Sequence, residues 1–335
     1  MTVHPSRTPY ENLSPEAVLA AVESVGLACD GHQLALNSYE NRVYQVGLES
    51  GGFVVVKFYR DGRWSDAAIR EEHAFCARLA AEEIPVEPPL VLAGDATLHR
   101  HGGFRFAVYA RRGGRAPDLE NLDHLEWMGR LLARIHAVGA LDPFRHRPTL
   151  DVAAFGDEPR RFLLHSGFIP RDLEEAYATL TRDLLIGVRA CWQRAGTGIP
   201  VIRLHGDCHP GNILWSDAGP WFVDFDDARM GPPVQDLWMC LSGDRTERSA
   251  QLAALLEGYE MFQSFDPRQL HLIEALRTLR MMHHAAWIAR RWDDPAFPRA
   301  FPWFNAPRYW EEHILALREQ AAALDEAPLA LLMPG

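Results

Sequence analysis

The sequence has 335 residues, of which 47% are hydrophobic and 24% charged, with a formal net charge of -11 at pH 7. A chain of this length can form one large domain or two medium ones with buried cores. The acidic balance argues against a nucleic-acid partner, because phosphate binding needs concentrated lysine and arginine. The five dispersed cysteines suit free thiols, and neither a secretory signal nor an apolar stretch of membrane-spanning length is evident. We therefore expect a cytoplasmic protein with no membrane partner.

The first third of the chain predicts a helix followed by a small antiparallel sheet. SPEAVLAAVESVGL (14–27) has Ser14 as N-cap and a proline at the first helical position. RVYQVGLE and GFVVVKFY are rich in β-branched and aromatic residues, and ESGG between them is typical of a hairpin turn. A helix is predicted over 65–82 and another strand over 101–110. Residues 33–110 therefore predict a small antiparallel sheet that carries one helix.

RRGGRAPD (111–118) is the best linker candidate, because Gly-Gly and a proline interrupt both kinds of periodicity. The following segment has apolar residues at three- and four-residue spacings, which predict a helix with Asp118 as its cap. Strand-like residues at 201–228 interrupt an otherwise helical remainder, with further helices predicted at 172–194, 246–262, 268–292 and 309–324. The sequence thus predicts an α+β fold with a small sheet-rich lobe (1–110), a hinge (111–118) and a larger helical lobe (119–335), with a ligand between the lobes.

The stretch LHGDCHPGNILW (204–215) combines several side chains that carry chemistry. His205 and His209 are four residues apart, a spacing that places two zinc ligands together only on a helix, and the nearby glycines and proline make a helix unfavourable. Cys208 as a nucleophile would need a depressed pKa. A small buried thiol is the preferred interpretation for Cys208, with His205 packed beneath the loop.

Three other side chains of this region form a set of oxygen donors. Asp207 and Asn212 have the spacing found in the catalytic loop of protein kinases, and Asp224 follows in VDF, where the magnesium-binding aspartate of kinases would stand. Such a set is suited to phosphoryl transfer. Asp207 would orient the attacking hydroxyl and accept its proton, and Asn212 and Asp224 would hold Mg²⁺ on the phosphates of ATP. The alternative is a Gly/Pro turn whose polar residues cap the backbone.

A kinase also needs groups that hold the nucleotide. FVVVK ends at Lys57, a lysine within a strand that is costly to bury unless it is paired. We predict Glu72 of the next helix as its partner, with Glu71 as the alternative. No glycine-rich loop is present, and in its place NSYENRVY (37–44) offers Ser38 and Asn41 as contacts to phosphates, or else a simple hairpin turn.

Two later features have open interpretations. Asp236, at the start of a predicted helix, either ties down the backbone of the catalytic loop or acts as an ordinary N-cap. The Trp- and Pro-rich segment at 290–304 is more typical of a packed surface loop than of a binding site.

HGDCHPGN, VDFDDA and GPPVQDLW resemble motifs of the aminoglycoside phosphotransferase and choline kinase superfamily, which shares the two-lobed protein-kinase-like fold. More narrowly, LNSYENRVYQ, VVKFYR and RLHGDCHPGNILW look like the bacterial stress response kinase A family, also called RdoA-like. EEH.F, DDAR.GP.VQDLWM and RRW.DPAFP..FPW also resemble motifs of this family, and together the matches run from about residue 14 to 304. One departure is a slightly longer hairpin, SDAGP, which we expect to leave the metal ligands in register.

The resemblance implies a monomeric, cytoplasmic, ATP- and Mg²⁺-dependent serine/threonine protein kinase linked to envelope and oxidative stress. By motif position it implies Asp207 as the catalytic base, Asn212 and Asp224 as magnesium ligands, and Ser38 as a contact to ATP. The residues alone do not separate a protein acceptor from a small-molecule alcohol, and the short segment after Asp224 favours the latter. A nucleotide-binding pseudokinase scaffold is a further alternative.

Overall fold

The computed structural model describes residues 9–330. Up to residue 110 its regular elements, in chain order, are α1 (Pro15–Glu23), β1 (Cys29–Ala35), β2 (Arg42–Leu48), β3 (Phe53–Tyr59), α2 (Asp66–Ala81), β4 (His99–His101) and β5 (Phe104–Ala110). Beyond residue 110 they are α3 (Leu122–Gly139), α4 (Glu158–Ser166), α5 (Arg171–Ala195), β6 (Ile202–Leu204), β7 (Ile213–Ser216), β8 (Gly219–Phe222), β9 (Arg229–Gly231), α6 (Val234–Trp238), α7 (Arg245–Glu260), α8 (Ile273–Arg290), α9 (Ala296–Ala300) and α10 (Pro307–Asp325).

The long predicted helices are confirmed, each with ends that shift by a few residues. Ser14 caps α1 as predicted, its side chain accepting a hydrogen bond from the N–H of Ala17. The prediction of Asp118 as a cap is wrong. The helix begins later, and Asn121 caps it by accepting from the N–H of Asp123. Both aspartate and asparagine are good caps, so the local sequence alone offers two starting points.

Contacts divide the described chain into two compact units. The first unit contains residues 9–116, 145–147 and 211–226, and the second contains 117–144, 148–210 and 227–330. The division at residue 116 falls within the predicted linker, whereas the β7–β8 hairpin belongs to the first unit although it lies late in the chain. The division into lobes at 1–110 and 119–335 stays a prediction.

The first unit is built on a five-stranded antiparallel sheet with strand order β1-β2-β3-β5-β4. Side chains of a strand alternate between the two faces of its sheet. In β3, Val54, Val56 and Phe58 belong to one apolar cluster together with Val18 and Val22 of α1. One face of the sheet is therefore closed by α1.

The opposite face carries the alternate residues of β3. Tyr59 packs in a second cluster with Ala107 of β5 and Ile69 of α2. Val55 and Lys57 also belong to this face, and both line a cavity. The alternation thus points a charged side chain away from the α1 core and toward an open space.

The second unit is mainly helical, and α3 and α7 approach at backbone distance. A Cβ atom at Gly129 would lie 1.9 Å from the carbonyl oxygen of Leu255, and one at Gly258 would lie 1.9 Å from the carbonyl oxygen of Glu126. No side chain fits at either position. These two glycines therefore set the spacing of the helix pair.

Two further predictions concern the surroundings of this fold. The five cysteines are free thiols, and Cys29 alone among them is not buried. Within residues 9–330, no helix has the length and apolar character required to cross a membrane.

In the Trp- and Pro-rich segment, Phe297 and Phe304 are fully buried while Trp303 is exposed, which agrees with a packed surface segment.

Candidate nucleotide cavity and catalytic loop

The first unit encloses a cavity of about 350 Å³. Apolar side chains of its sheet and hairpin line one part of it, among them Leu36, Val55 and Val223. Lys57 and Asp224 also line the cavity. A cavity that combines apolar walls with a few polar groups is typical of a site for a small molecule.

Lys57 forms its ion pair with Asp224. The Nζ atom donates to Oδ1 at 2.6 Å, although the two residues are 167 positions apart. Burial alone would lower the pKa of Lys57, but the nearby Asp224 carboxylate, together with Tyr109, Asp226 and Glu72, outweighs burial and raises that pKa well above its ordinary value. Lys57 is therefore a permanent cation on the cavity wall.

The predicted pairing of Lys57 with Glu72 is replaced by another. Glu72 lies on α2 and lines the cavity, but its Oε2 accepts from the guanidinium of Arg147 at 3.0 Å. Burial raises the pKa of Glu72 to about 7, against the opposing charges of Arg147 and Lys57. Glu71, the alternative partner, accepts from the N–H groups of Arg145 and His146. Both glutamates thus bind the short segment 145–147.

Asn212 and Asp224 are brought together by the β7–β8 hairpin and line the same cavity. The N–H of Val223 donates to the carbonyl of Asn212 at 3.0 Å, which holds the two ends of the hairpin in register. Asp224 has a φ angle of 61°, a left-handed conformation that is uncommon for a residue other than glycine. Such conformations persist where the surrounding structure enforces them, and they concentrate at functional sites.

The donor atoms of this pair fit a hard cation. Carboxylate and amide oxygens are the ligands that Mg²⁺ accepts in proteins. Within residues 9–330, no three or more His, Cys, Asp or Glu side chains are grouped so as to hold a metal ion. A metal held by Asn212 and Asp224 would take its remaining ligands from water and from phosphates, as Mg²⁺ usually does.

The predicted phosphate-contact residues occupy different places. Ser38 lines the cavity, and its hydroxyl donates to the carbonyl of Asn41 at 2.9 Å. Asn41 is buried, and its side-chain oxygen accepts from the N–H of Arg60 at 3.2 Å. The side chain of Asn41 therefore stabilises the turn, while Ser38 is the residue of this pair that borders the cavity.

Asp207, the predicted catalytic base, lies in the second unit. One oxygen of Asp207 accepts from the guanidinium of Arg280 on α8 at 2.6 Å. The other oxygen lies 3.6 Å from Nε2 of His209. The Asp207 side chain is 22% exposed and that of Arg280 41% exposed, so both remain reachable from outside the unit. A partly exposed carboxylate whose orientation is fixed by an arginine can accept a proton from a hydroxyl.

The backbone that precedes Asp207 is fastened by Asp236. The fully buried carboxylate accepts from the N–H groups of His205 and Gly206, each at 2.9 Å, and from Nε2 of His136 at 3.1 Å. Burial would raise the pKa of Asp236, but His136 and the other donors outweigh it and lower that pKa. Tyr259 contacts the second ring nitrogen of His136 at 3.0 Å. The interpretation of Asp236 as a tie for the loop is confirmed.

The loop also contains a glycine that no other residue can replace without strain. Gly206 has a φ angle of 83°, and a Cβ there would lie 2.2 Å from the carbonyl oxygen of Asp227.

The neighbouring Cys208 is fully buried, and burial raises the pKa of its thiol well above the ordinary value. The prediction of a structural thiol is confirmed, since such a group is a poor nucleophile.

Comparison with known proteins identifies the family. The phosphotransferase enzyme family matches residues 32–273. Stress response kinase A of Escherichia coli (strain K12) is 45% identical over 322 residues, covering 96% of this chain and 97% of that protein. Serine/threonine protein kinase RdoA of Salmonella typhimurium is 44% identical over 322 residues, with coverage of 96% and 97%. The chain belongs to the stress response kinase A family of phosphotransferases.

Solved structures of other kinases share the fold. The amicoumacin kinase hAmiN, in complex with AMP-PNP, Ca²⁺ and Ami, has a TM-score of 0.71 at 18% identity, covering 94% of each chain. The microcompartment-associated aminopropanol kinase has a TM-score of 0.70 at 18% identity, covering 95% of this chain and 100% of that one. The predicted two-lobed protein-kinase-like α+β fold is confirmed, and this family member is a phosphotransferase with a hydroxyl acceptor.

Two residues of the site were not found from the sequence. Arg280 lies 73 positions after Asp207, and Arg147 lies 75 positions after Glu72. Neither arginine stands in a recognisable motif, and both pairs join distant parts of the chain. Only the three-dimensional structure reveals these partners.

Proposed function

We propose that this chain transfers the γ-phosphoryl group of ATP, in a Mg²⁺-dependent reaction, to serine or threonine hydroxyls of proteins. The observation that carries the nucleotide part of the proposal is the cavity, where Lys57, Asn212 and Asp224 border the same space as apolar side chains. A nucleotide has the matching composition, with a flat apolar base and charged phosphates. Val55 and its apolar neighbours would contact the base, and Lys57 would contact the phosphates.

In the proposed reaction Asp207 receives the acceptor. Its carboxylate orients the hydroxyl and takes the proton as the oxygen attacks phosphorus, and this positioned general base supplies about 10²- to 10⁴-fold in rate. Asp236 holds the loop before Asp207 through two backbone N–H groups, each at 2.9 Å. Arg280 fixes the orientation of the carboxylate through one of its two oxygens. The acceptor hydroxyl would bind at this partly exposed carboxylate.

The metal would be held by Asn212 and Asp224, whose donor atoms fit Mg²⁺. When bound, Mg²⁺ neutralises charge on the phosphates of the nucleotide. Lys57 would orient the Asp224 carboxylate for the metal, because its ammonium group donates a hydrogen bond to that carboxylate at 2.6 Å. Ser38 borders the same cavity and would contact a phosphate through its hydroxyl or backbone.

The acceptor is proposed from the relatives. Proteins that are 44–45% identical over 96% of this chain carry the names stress response kinase A and serine/threonine protein kinase RdoA. Identity of this extent over nearly the full length supports a shared acceptor class and a shared role in stress response. The five free thiols, four of them buried, support a location in the reducing cytoplasm. We also expect the protein to be a monomer.

The test follows label from γ-labelled ATP. Purified protein is incubated with Mg²⁺, labelled ATP and a cell lysate, and label is sought both in protein and in small molecules. We expect label on serine and threonine of protein, lost in the Asp207→Asn variant. The matched control is Asp217→Asn, a change at the exposed tip of the β7–β8 hairpin. Label found only in a metabolite would contradict the protein acceptor and leave the phosphotransferase in place.

A small-molecule alcohol kinase is the second candidate, and one structural feature favours it. Only the short stretch from Phe225 to Pro233 separates Asp224 from α6, so no long segment is present there to present a peptide. A third candidate, a nucleotide-binding pseudokinase scaffold, predicts nucleotide binding with no ADP release over hours. Lys57, Asp207, Asn212 and Asp224 are all present, which disfavours the scaffold.

A further inference from the structure

Glu87 is a carboxylate on the cavity wall that has no part in the proposed phosphoryl transfer. It lies in the connection between α2 and β4, and its side chain is only 9% exposed. This connection follows the edge of β5. The N–H of Leu90 donates to the carbonyl of Val108 at 2.7 Å, and Pro89 forms a β-bridge with Tyr109. Glu87 therefore lies beside the end of β5.

One oxygen of Glu87 is already engaged. The Nε atom of Arg112 donates to Oε2, and the Arg112 guanidinium lies over the ring of Trp221, 4.0 Å from its centroid. Among residues 9–330, no group donates a hydrogen bond to Oε1 of Glu87. A carboxylate oxygen in a confined place requires a donor. Oε1 is thus left to water or to a ligand in the cavity.

The chemistry of a nucleotide limits which of its groups this oxygen can meet. Phosphates are anionic and would be repelled by Glu87, and their counter-charge is at Lys57. The base offers a donor at one edge, because adenine carries an exocyclic amino group at its six-position. Guanine and hypoxanthine carry a carbonyl oxygen there, which is an acceptor. Two acceptors facing each other without a proton are unfavourable.

The neighbours of Glu87 place it with the base rather than with the phosphates. Ala110 and Arg112, at and just after the end of β5, line the cavity beside it. Val223 contributes an apolar surface from the hairpin. A flat aromatic base is the part of a nucleotide that apolar walls accept.

We propose that Glu87 reads the base of the nucleotide. Its Oε1 accepts a hydrogen bond from the exocyclic amino group of adenine and disfavours a carbonyl oxygen at that position, so that Glu87 sets a preference for ATP over GTP. Arg112 fixes the carboxylate in place through Oε2 and its contact with Trp221. This inference rests on the proposed nucleotide site and adds a residue that determines its specificity.

The test compares the binding of four nucleotides by calorimetry, which requires no acceptor. The protein is titrated with the Mg²⁺ complexes of ADP, IDP, GDP and 2′-deoxy-ADP. We expect ADP to bind about 10- to 100-fold more tightly than IDP, as a hydrogen bond to a charged group allows. In Glu87→Gln the amide oxygen would stay on Arg112 and the NH₂ group would face the base, where it can donate to the carbonyl of IDP but cannot accept from the amino group of ADP, so the ADP-to-IDP affinity ratio should fall to about threefold or less.

Matched variants separate this role from general damage. Glu87→Ala should weaken the binding of ADP. Its affinity for IDP should increase less than that of Glu87→Gln. Glu23→Gln, a change at an exposed residue of α1, should leave every affinity unchanged. Melting temperatures of the free variants establish that each is folded.

Three outcomes would overturn the proposal. The first is equal binding of ADP and IDP by the unaltered protein, and the second is an unchanged ratio in both Glu87 variants. The third is a loss of affinity in Glu87→Gln that is equal for ADP and IDP but absent for 2′-deoxy-ADP. That result would show that Glu87 contacts the ribose and not the base. If the unaltered protein binds none of the four nucleotides, the proposed function itself fails, a result distinct from these three.

Discussion

Asp224 in the first unit and Asp236 in the second unit are held mainly by different kinds of group. In the first unit Asp224 is held by a side-chain cation, with Nζ of Lys57 at 2.6 Å. In the second unit Asp236 is held by backbone, since it accepts from the N–H groups of His205 and Gly206. A side-chain pair can exchange its partner when a ligand arrives, whereas backbone hydrogen bonds fix a loop in every state.

This difference assigns separate duties to the two regions. Changes in the first unit should appear mainly as altered nucleotide affinity. Changes in the second unit should appear as altered turnover or as lost stability of the loop. Measuring nucleotide affinity and turnover on the same variants therefore separates the two regions.

The largest effect is expected for Asp207→Asn. The amide cannot accept the proton of the acceptor, so the rate of phosphoryl transfer should fall by about 10²- to 10⁴-fold. The affinity for Mg²⁺–ADP, measured by calorimetry, should not change. A parallel loss of nucleotide affinity would show that Asp207 acts on the nucleotide, and the proposed division of duties would be wrong.

A large effect on stability is expected for Asp236→Asn. Removing one partner from a buried charged network costs about 3–5 kcal/mol in the free energy of unfolding. Denaturant unfolding checks this value, with Asp217→Asn as a control that should stay within about 0.5 kcal/mol. If the stability of Asp236→Asn were unchanged, the loop would be held by other contacts.

A smaller effect is expected for Lys57→Met in the first unit. The variant removes the cation proposed to contact the phosphates, so the affinity for Mg²⁺–ADP should fall about 10- to 100-fold. The Glu72→Gln variant is the informative comparison, because Glu72 pairs with Arg147 and not with Lys57. Equal losses in both variants would indicate that Glu72 supports Lys57 after all.

Arg280→Gln should lower turnover by roughly tenfold, since the Asp207 carboxylate loses the guanidinium that orients it. Arg280→Lys keeps the charge and should retain more activity than the glutamine variant. Nucleotide affinity serves as the second readout and should be the same in both. Turnover that is unchanged in both variants would remove Arg280 from the positioning of Asp207.

A pH dependence of stability is expected from His73 in the first unit. Burial, with the charges of Lys57 and Arg147, lowers the pKa of His73 to about 3. The unfolded chain binds a proton near pH 6.5 and the folded one does not, so stability falls as pH drops from about 6.5 toward 3. By this linkage His73 should cost about 2 kcal/mol at pH 5.

Unfolding by urea at pH 5 and pH 7.5 measures that cost. The difference between the two pH values should shrink in His73→Gln. It should persist in His32→Asn, because the side chain of His32 is 83% exposed. A difference of the same size in His73→Gln would assign the acid sensitivity to other groups.

Local patterns were sufficient for the parts of the fold that depend on neighbours in sequence. The long helices follow from apolar spacing, and β3 follows from β-branched residues that alternate between two faces. Asp207, Asn212 and Asp224 could be proposed as site residues because they fall within 18 positions of one another in recognisable motifs. Asp236 could be proposed as a tie for the loop because it lies in GPPVQDLW, 12 positions after Asp224.

Pairings across the chain were not accessible in this way. Lys57 has an acidic helix directly after it, and this local choice led to Glu72, whereas its partner comes from 167 positions away. Glu72 is instead taken by Arg147, a residue with no motif around it. Where several carboxylates compete for one buried cation, packing in three dimensions decides the pairing.

The glycines of the α3–α7 pair have an effect that extends beyond the two helices. His136 belongs to α3 and Tyr259 to α7, and their contact at 3.0 Å requires the helices to be this close. His136 in turn donates to Asp236, which fixes the backbone before Asp207. The absence of a methyl group at Gly129 and at Gly258 thus sets the position of the catalytic loop.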